Sequence, residues 1–381
     1  MEDKGVLMPP KYKVAIIGTG FAERVQIPGF QRHPRFDIIA IAGQDPKHTQ
    51  EVAKKFGIEQ WYIDWHKLVA TGNFDLLSVV TPPYLHCEMA LAALDKGLHV
   101  LCEKPMALNA EEARQMLDRA HETGLTAMID HEFRYLPARQ RFRDLIRDGY
   151  IGQLQRLIIR FHQSTYADPM REWNWWSDFE KGGGLLGAAG CHYFDSAQQW
   201  FHLPNRIWGK LNTFISERPL PDGKGRRTVT SEDAFLAVLD LGNGAEVVFD
   251  FTATAKSCTG IYITALGSEG TLMIEGYQRL LASRGNEDLR EVDLPHLPLT
   301  GDAPGLTGFL YFLDELAIGI DKGTSPSPNF EDGLAHQQFI DAVKISNALG
   351  TWIDFPPTGS APEGVLPTSC PSTRRYFKGG I

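Results

Sequence analysis

Val14-Ala15-Ile16-Ile17-Gly18-Thr19-Gly20 is an apolar run followed at once by a glycine turn. A run apolar on both faces suits a buried parallel strand. The turn after it suits a dinucleotide pyrophosphate held against a helix N-terminus, where backbone N–H groups point outward. The continuation Phe21-Ala22-Glu23 keeps the first two glycines of G-x-G-x-x-G and puts Glu23 at the third. Such a partial motif is weak alone and gains weight only from a repeated strand-helix context.

That context follows. Apolar runs recur at Ile38 to Ala42, Leu76 to Val80, Val100 to Cys102 and Thr126 to Ile129. Between them, Asp45-Pro46 opens a helix that ends near Gly57, Glu88 to Lys96 forms another closed by Gly97, and Asn109 caps a third that runs to Gly124. The alternation predicts a Rossmann-type, doubly wound parallel sheet over residues 10–130, with Gly18, Thr19, Gly20, Phe21 and Ala22 against the cofactor.

In such a sheet the carboxyl ends of the strands share one crevice. Gly43 follows the second strand, where a carboxylate would bind the ribose 2′-hydroxyl and repel a 2′-phosphate. Gly43 does neither and no Arg adjoins it, so NAD and NADP both stay open. Thr81-Pro82-Pro83-Tyr84 follows the next strand, which places Thr81, Pro82 and Tyr84 near the cofactor, although two prolines also make a rigid turn. Glu103-Lys104-Pro105 ends the strand after that and brings an amine to the nicotinamide end. Lys104 there can hydrogen-bond a substrate hydroxyl; the alternative is a simple Glu103-Lys104 surface pair.

At 381 residues the chain exceeds the size at which one core keeps growing, so two domains are expected. After Tyr150 the runs lengthen and alternate: Leu154 to Gln163, Ile207 to Ile215, Ala234 to Leu241, Ala245 to Ala253, Ile261 to Leu266 and Thr271 to Glu275. Turns such as Gly242-Asn243-Gly244 separate several of them, predicting a large, open, mostly antiparallel sheet. The fold class expected is α/β plus α+β, with a substrate-binding and oligomerisation domain over 131–356 and a Pro/Gly/Ser-rich tail over 357–381. Helices are expected at Leu185 to Trp200, Phe309 to Ile320 and Glu331 to Leu349.

A formal charge of −9 argues against a nucleic-acid surface and against anionic membranes. No apolar run approaches the roughly 20 residues needed to span a bilayer, and Met1-Glu2-Asp3-Lys4 lacks an apolar signal core, so a cytoplasmic protein is expected. Cys87, Cys102, Cys191, Cys258 and Cys370 are scattered and odd in number, as for reduced thiols. No H-E-x-x-H, EF-hand or Walker sequence is present, so no metal is expected.

The second half offers further site candidates. Gly182-Gly183-Gly184 precedes the helix carrying Ala188, His192 and Asp195, and three glycines would let a ligand approach open N–H groups. His192 reads either as a catalytic imidazole or as a satisfied core histidine. Upstream, Trp173-Asn174-Trp175-Trp176-Ser177-Asp178 sets indoles beside polar groups. Trp173 and Trp176 suit stacking on a sugar or cyclitol and Asp178 suits its hydroxyls, while packing explains the same cluster. In His131-Glu132-Phe133-Arg134-Tyr135, Arg134 serves either the pocket or an ion pair.

Taken together, the Gly18 turn, Thr81-Pro82-Pro83, Glu103-Lys104-Pro105 and the Gly182 to Asp195 stretch resemble the Gfo/Idh/MocA family, over roughly Lys11 to Pro356. The resemblance implies an NAD(P)-dependent enzyme that oxidises a secondary alcohol of a sugar or cyclitol, or reduces the ketone. It further implies that Lys104 is the active-site lysine, aimed by a cis bond to Pro105, and that His192 is the catalytic histidine. Relatives commonly place an aspartate four residues before that histidine, where this chain has Ala188. Asp130, Glu132 and Asp178 are the acids at hand to replace it. His192 would then be the base and Lys104 the group that stabilises the alkoxide. Because Glu23 and Ala188 depart from the pattern, two alternatives stand: a dinucleotide-binding sensor without turnover, and a lyase or glycosidase that uses bound NAD transiently. A sheet with one face uncovered by helices suits a homo-oligomer.

Overall fold

The computed structural model describes residues 11–294, 304–358 and 361–369. Cys370 and most of the tail read over 357–381 lie outside these described residues.

The first sheet is wholly parallel. Its strands are β1 (Tyr12–Ile17), β2 (Phe36–Ala42), β3 (Gln60–Tyr62), β4 (Leu76–Val79), β5 (His99–Cys102) and β6 (Ala127–Ile129), in the order β3-β2-β1-β4-β5-β6. Its helices are α1 (Gly20–Arg24), α2 (Gln26–Arg32), α3 (Pro46–Phe56), α4 (Trp65–Thr71), α5 (His86–Asp95) and α6 (Ala110–Thr123). The expected punctuation marks most of them. Asp45 caps α3 through the His48 amide with Pro46 in the first turn, and Asn109 caps α6 through the Glu112 amide. Strand β1 shows why both faces had to be apolar: Ala15 and Ile17 pack toward α5 and α6, while Val14 and Ile16 pack the other way, against Phe30, Phe309 and Phe312.

The second half holds α7 (Pro137–Arg147), β7 (Leu154–His162), α8 (Cys191–Trp200), β8 (Arg206–Asn212), β9 (Glu217–Pro219), β10 (Arg226–Thr228), β11 (Ala234–Asp240), β12 (Glu246–Thr252), β13 (Gly260–Gly267), β14 (Gly270–Glu275), β15 (Arg279–Arg284), β16 (Arg290–Glu291), α9 (Pro304–Lys322), α10 (Phe330–Leu349) and β17 (Ile353–Asp354). Nine of these strands form one sheet, β16-β15-β14-β13-β7-β12-β11-β8-β17, antiparallel except where β7 runs parallel to β12. Leu157, Ile159, Val247, Phe249 and Phe251 face the helices in a core shared with Phe194 and Phe339. On the opposite face Ile158, Val238 and Val248 are only half-buried and Leu236 is exposed. Helix α9 follows the second sheet in sequence yet packs its Phe309, Phe312, Leu313 and Leu316 on the first.

The stretch expected as one helix from Leu185 to Trp200 is divided. Leu186–Gly190 forms a wide π-type turn and α8 starts at Cys191. Widened turns of this kind free carbonyls from the regular ladder and gather at functional sites.

Candidate active site

Gly18 leaves β1 with φ of 111°, and a Cβ there would strike the Val80 carbonyl, so only glycine allows the turn. A Cβ at Gly20, by contrast, would meet nothing within 4 Å. That clear space opens on a cavity of about 650 Å³ along the carboxyl ends of the first sheet. Gly18, Thr19, Gly20 and Phe21 line one end of it with Gly43 from β2; Thr81, Pro82, Glu103 and Lys104 line the other. An extended dinucleotide fits this layout: glycines where phosphates need close approach, then an amine at the far end. Ala22 is buried in the core behind the turn, and Tyr84 lies outside the cavity lining, with the Lys181 ammonium 5.7 Å from its ring. Glu23 turns away, paired with Lys55 at 2.9 Å.

The Lys104-Pro105 bond is cis. The Lys104 ammonium crosses from the first sheet to the second half of the chain, where it donates to the Ala188 carbonyl at 3.2 Å. Ala188 sits in the widened turn and His192 one turn further on, close enough for the Lys104 charge to act on the imidazole, although His192 itself is buried behind the residues that line the cavity. Lys104 lies among acids. Burial opposes its charge, yet Glu103, Cys191, Glu132 and Asp130 outweigh that and hold its pKa above the ordinary lysine value. It is therefore an ammonium, a hydrogen-bond donor rather than a base.

Below it, Gln26 Nε2 donates to Glu103 Oε1 and to Asp130 Oδ2, each at 2.9 Å, while Ser78 Oγ donates to Gln26 Oε1. Burial, with repulsion from Glu103 and Glu132, pushes Asp130 far above the usual carboxyl range. Glu103 is also raised, chiefly by burial. The pair shares its protons for the reason any two adjacent buried carboxyls do: both cannot ionise.

His192 is buried, with its ring stacked on Phe133 at 4.3 Å and 20° and edge-on to His131 at 5.3 Å. Burial, then the charges of Lys104, His131 and Arg139, hold its pKa well below the ordinary imidazole value, so it is neutral. Its Nε2 lies 4.0 Å from Glu132 Oε2.

Other candidates are placed differently. Trp176 lines the cavity, joined by Trp175, which sequence reasoning quoted but did not single out. Trp173 lies outside the lining: its Nε1 donates to the Thr228 carbonyl at 3.1 Å and Arg227 covers its face at 3.9 Å. Asp178 also falls outside, facing Lys181 at 4.0 Å and Arg227 at 3.8 Å. Arg134 engages both oxygens of Asp195 and donates to Ser327 Oγ. It is the ion-pair reading of that residue that the geometry carries. Asp195 is thereby taken up by Arg134 and by His336 at 3.3 Å and does not orient His192. Sequence reading also passed over Tyr277, which lies 5.4 Å from the Phe133 ring and feels the charges of Glu132 and Lys104. No motif marks it, because it arrives from the β14–β15 turn.

The triglycine segment proves to be a packing device. A Cβ at Gly183 would strike the Trp175 and Trp176 carbonyls, and one at Gly184 the Glu232 carboxylate. The amides expected to be open are filled: Leu185 N–H donates to Glu232 O at 3.0 Å and Leu186 N–H to Glu232 Oε1 at 2.8 Å. These glycines let the Trp175-Trp176 segment lie directly on the turn that carries Ala188.

Comparison with known proteins finds matches for both halves of the chain. Residues 12–131 match the family described as "Oxidoreductase family, NAD-binding Rossmann fold", and residues 139–273 match the "GFO/IDH/MocA C-terminal domain". An uncharacterized oxidoreductase of Synechocystis sp. is 31% identical over 360 residues, covering 91% of this chain and 97% of that protein. Levoglucosan dehydrogenase of Pseudarthrobacter phenanthrenivorans is 27% identical over 387 residues, covering 90% and 98%. A solved levoglucosan dehydrogenase in complex with NADH and L-sorbose superimposes with a TM-score of 0.84 at 25% identity, over 92% of this chain and 100% of that one.

Proposed function

This chain belongs to the Gfo/Idh/MocA family of NAD-binding oxidoreductases, with sugar dehydrogenases among its relatives, and we propose that it moves a hydride between a nicotinamide dinucleotide and a secondary alcohol or ketone of a sugar, sugar derivative or cyclitol. The observation that carries this reading is the bond from Lys104 Nζ to the Ala188 carbonyl, which brings the ammonium of one sheet to the imidazole-bearing helix of the other half at the end of the dinucleotide cleft.

The dinucleotide, when bound, supplies the hydride acceptor or donor. Gly18 to Phe21 would hold its phosphates, and Gly43, Gln44 and Asp45 its adenosine end, where no residue commits the site to NAD or to NADP. Lys104 would hold the substrate hydroxyl and stabilise the alkoxide as it forms, since its charge is retained in a half-buried setting where it is less screened than in water. His192 would take the hydroxyl proton. Trp175 and Trp176 offer flat apolar faces for the carbon skeleton of a sugar ring.

Two further features fit this assignment. Among the described residues no helix is long and apolar enough to cross a membrane. The half-buried outer face of the second sheet, with Ile158, Val238 and Leu236, suits a second copy of the chain.

The test is reduction of NAD and of NADP by the purified protein with a panel of pyranoses, anhydrosugars and cyclitols. Growth of the reduced-nicotinamide absorbance with at least one of them supports hydride transfer. Tight NADH binding without turnover would favour a sensor, and product without net reduction would favour transient redox use.

A further inference from the structure

Four carboxyl groups lie close to Lys104 and His192, and three are already engaged. Asp195 is clamped by Arg134, while Asp130 and Glu103 share the Gln26 amide and a common proton load. Glu132 differs. Its Oε2, like Asp130 Oδ1, is buried with no hydrogen-bond partner, but Glu132 alone of the four faces the His192 Nε2, at 4.0 Å. An unpartnered buried carboxylate oxygen is costly, and a role in proton transfer is one reason for a protein to keep it.

Both members of the pair are fixed in place. Glu132 sits on the short turn Glu132–Tyr135 that ends β6, under α9. A Cβ at Gly305 would come within 3.2 Å of Glu132 Oε1, and one at Gly308 would strike the Glu132 carbonyl, so these two glycines admit the acid and leave it little freedom. On the other side Phe133 stacks on the His192 ring and sets its plane. Ala188, one turn before His192, carries no acid of its own.

We propose that Glu132 is the positioning residue and proton acceptor for His192, an inference that rests on the hydride-transfer reading above. In the oxidising direction the substrate C–H bond would break with its electron pair passing as hydride to the oxidised nicotinamide that a bound dinucleotide would supply. The O–H bond breaks with its proton going to the imidazole, and the imidazole returns to neutral by giving one proton to the Glu132 carboxylate. Ketone reduction runs the same transfers backward. A gap of 4.0 Å is long for a hydrogen bond, and closes on substrate binding or through one water, as catalytic contacts commonly do.

The pH dependence follows from the surroundings of Glu132: Glu103 and Lys104 from the β5 end, Asp130 from the β6 end, Arg139 on α7, His192 on α8 and Tyr277 from the β14–β15 turn. Burial, reinforced by Glu103, raises its pKa to about 8. Alcohol oxidation needs the ionised form, so its rate rises as pH climbs through about 8, and ketone reduction falls over the same interval.

The experiment has two arms. In the first, 15N NMR of wild-type protein without dinucleotide follows the His192 ring, assigned by its loss in His192→Gln. The inference expects its shifts to titrate with a midpoint near 8; a flat profile from pH 6 to 10 overturns it. In the second, Glu132→Gln, nearly isosteric, is expected to lower kcat about 10²–10⁴-fold with KM and NADH affinity little changed. The pH limb should vanish, and Glu132→Asp should restore part of both. Glu132→Gln with wild-type kcat and an unmoved limb overturns the role. A wild-type protein that reduces no dinucleotide with any substrate sinks the function reading instead, and does so before any substitution is made.

Discussion

Lys104 and Ala188 are joined across the two halves of the chain: the side-chain ammonium at the end of β5 donates to a backbone carbonyl in the widened turn before α8. A side-chain partner is not needed at position 188 for this bond, which explains how alanine serves there. On the function proposed above, the substrate hydroxyl would sit between the ammonium and the imidazole.

Replacing that ammonium tests its role directly. Lys104→Met keeps the length and packing but leaves Glu103, Asp130 and Glu132 without their shared cation. The expected result is a fall in kcat of about 10²–10³-fold, the size seen when one donor to a developing oxyanion is removed. NADH affinity, measured by fluorescence titration, should change only a few-fold. Equal turnover in the variant would show that the ammonium does not meet the alkoxide.

His192 carries a second expectation. Its pKa is held well below the ordinary imidazole value by burial and neighbouring cations, so it stays neutral through the physiological range. The pH-rate profile should then show no inflection near 6.5, the usual sign of a titrating histidine base. His192→Gln should lower kcat by about 10²–10⁴-fold. A clear limb near 6.5 that disappears in His192→Gln would place the imidazole in a more solvated setting than this fold gives it.

The two turn glycines should respond differently to substitution. At Gly20 an added side chain enters open cavity, so Gly20→Leu is expected to weaken NADH binding at least tenfold while leaving the melting temperature within a few degrees. At Gly18 the positive φ and the Val80 carbonyl leave no room, so Gly18→Ala should lose both binding and about 1–3 kcal/mol of stability. Isothermal titration and thermal melts of the two variants separate these outcomes. Equal effects on melting would mean that Gly20 is packed rather than open to the ligand.

How much of this was legible in the chain depended on the range of the interaction. The β1 strand, the Gly18 turn and the capped helices α3 and α6 are local patterns, and their signals stand in adjacent residues. Strands β3 and β15 escaped because three exposed or half-buried residues, or four buried residues between two arginines, give no alternation to read. Site residues divided in the same way. Strand-end residues Gly43, Thr81 and Lys104 follow from winding rules, since the sheet order fixes where carboxyl ends point. The engagement of Arg134 by Asp195 spans 61 residues, and no local rule shows it. The triglycine was legible as a need for close approach, but not that the approaching atoms belong to Glu232 and the Trp175-Trp176 backbone.

The Arg134–Asp195 pair makes the last prediction, in which stability and pH are coupled. Both groups are buried, and the guanidinium reaches both carboxylate oxygens. Burial disfavours the Asp195 charge, but Arg134, then His131 and His336, outweigh it and hold its pKa well below the ordinary aspartate value. A depressed folded-state pKa contributes stability that is present above the unfolded value, near 3.8, and is lost as pH falls toward the folded value. Arg134→Ala removes the cause and leaves an uncompensated buried carboxylate, which costs about 3–5 kcal/mol. In that variant Asp195 escapes the penalty by taking up a proton, so the deficit relative to wild type should be largest near pH 8 and should shrink as the solution is acidified toward pH 4. Urea unfolding of both proteins across this range measures the difference. A deficit that stays constant with pH would mean that lost packing around the arginine, not the stranded charge, sets the cost.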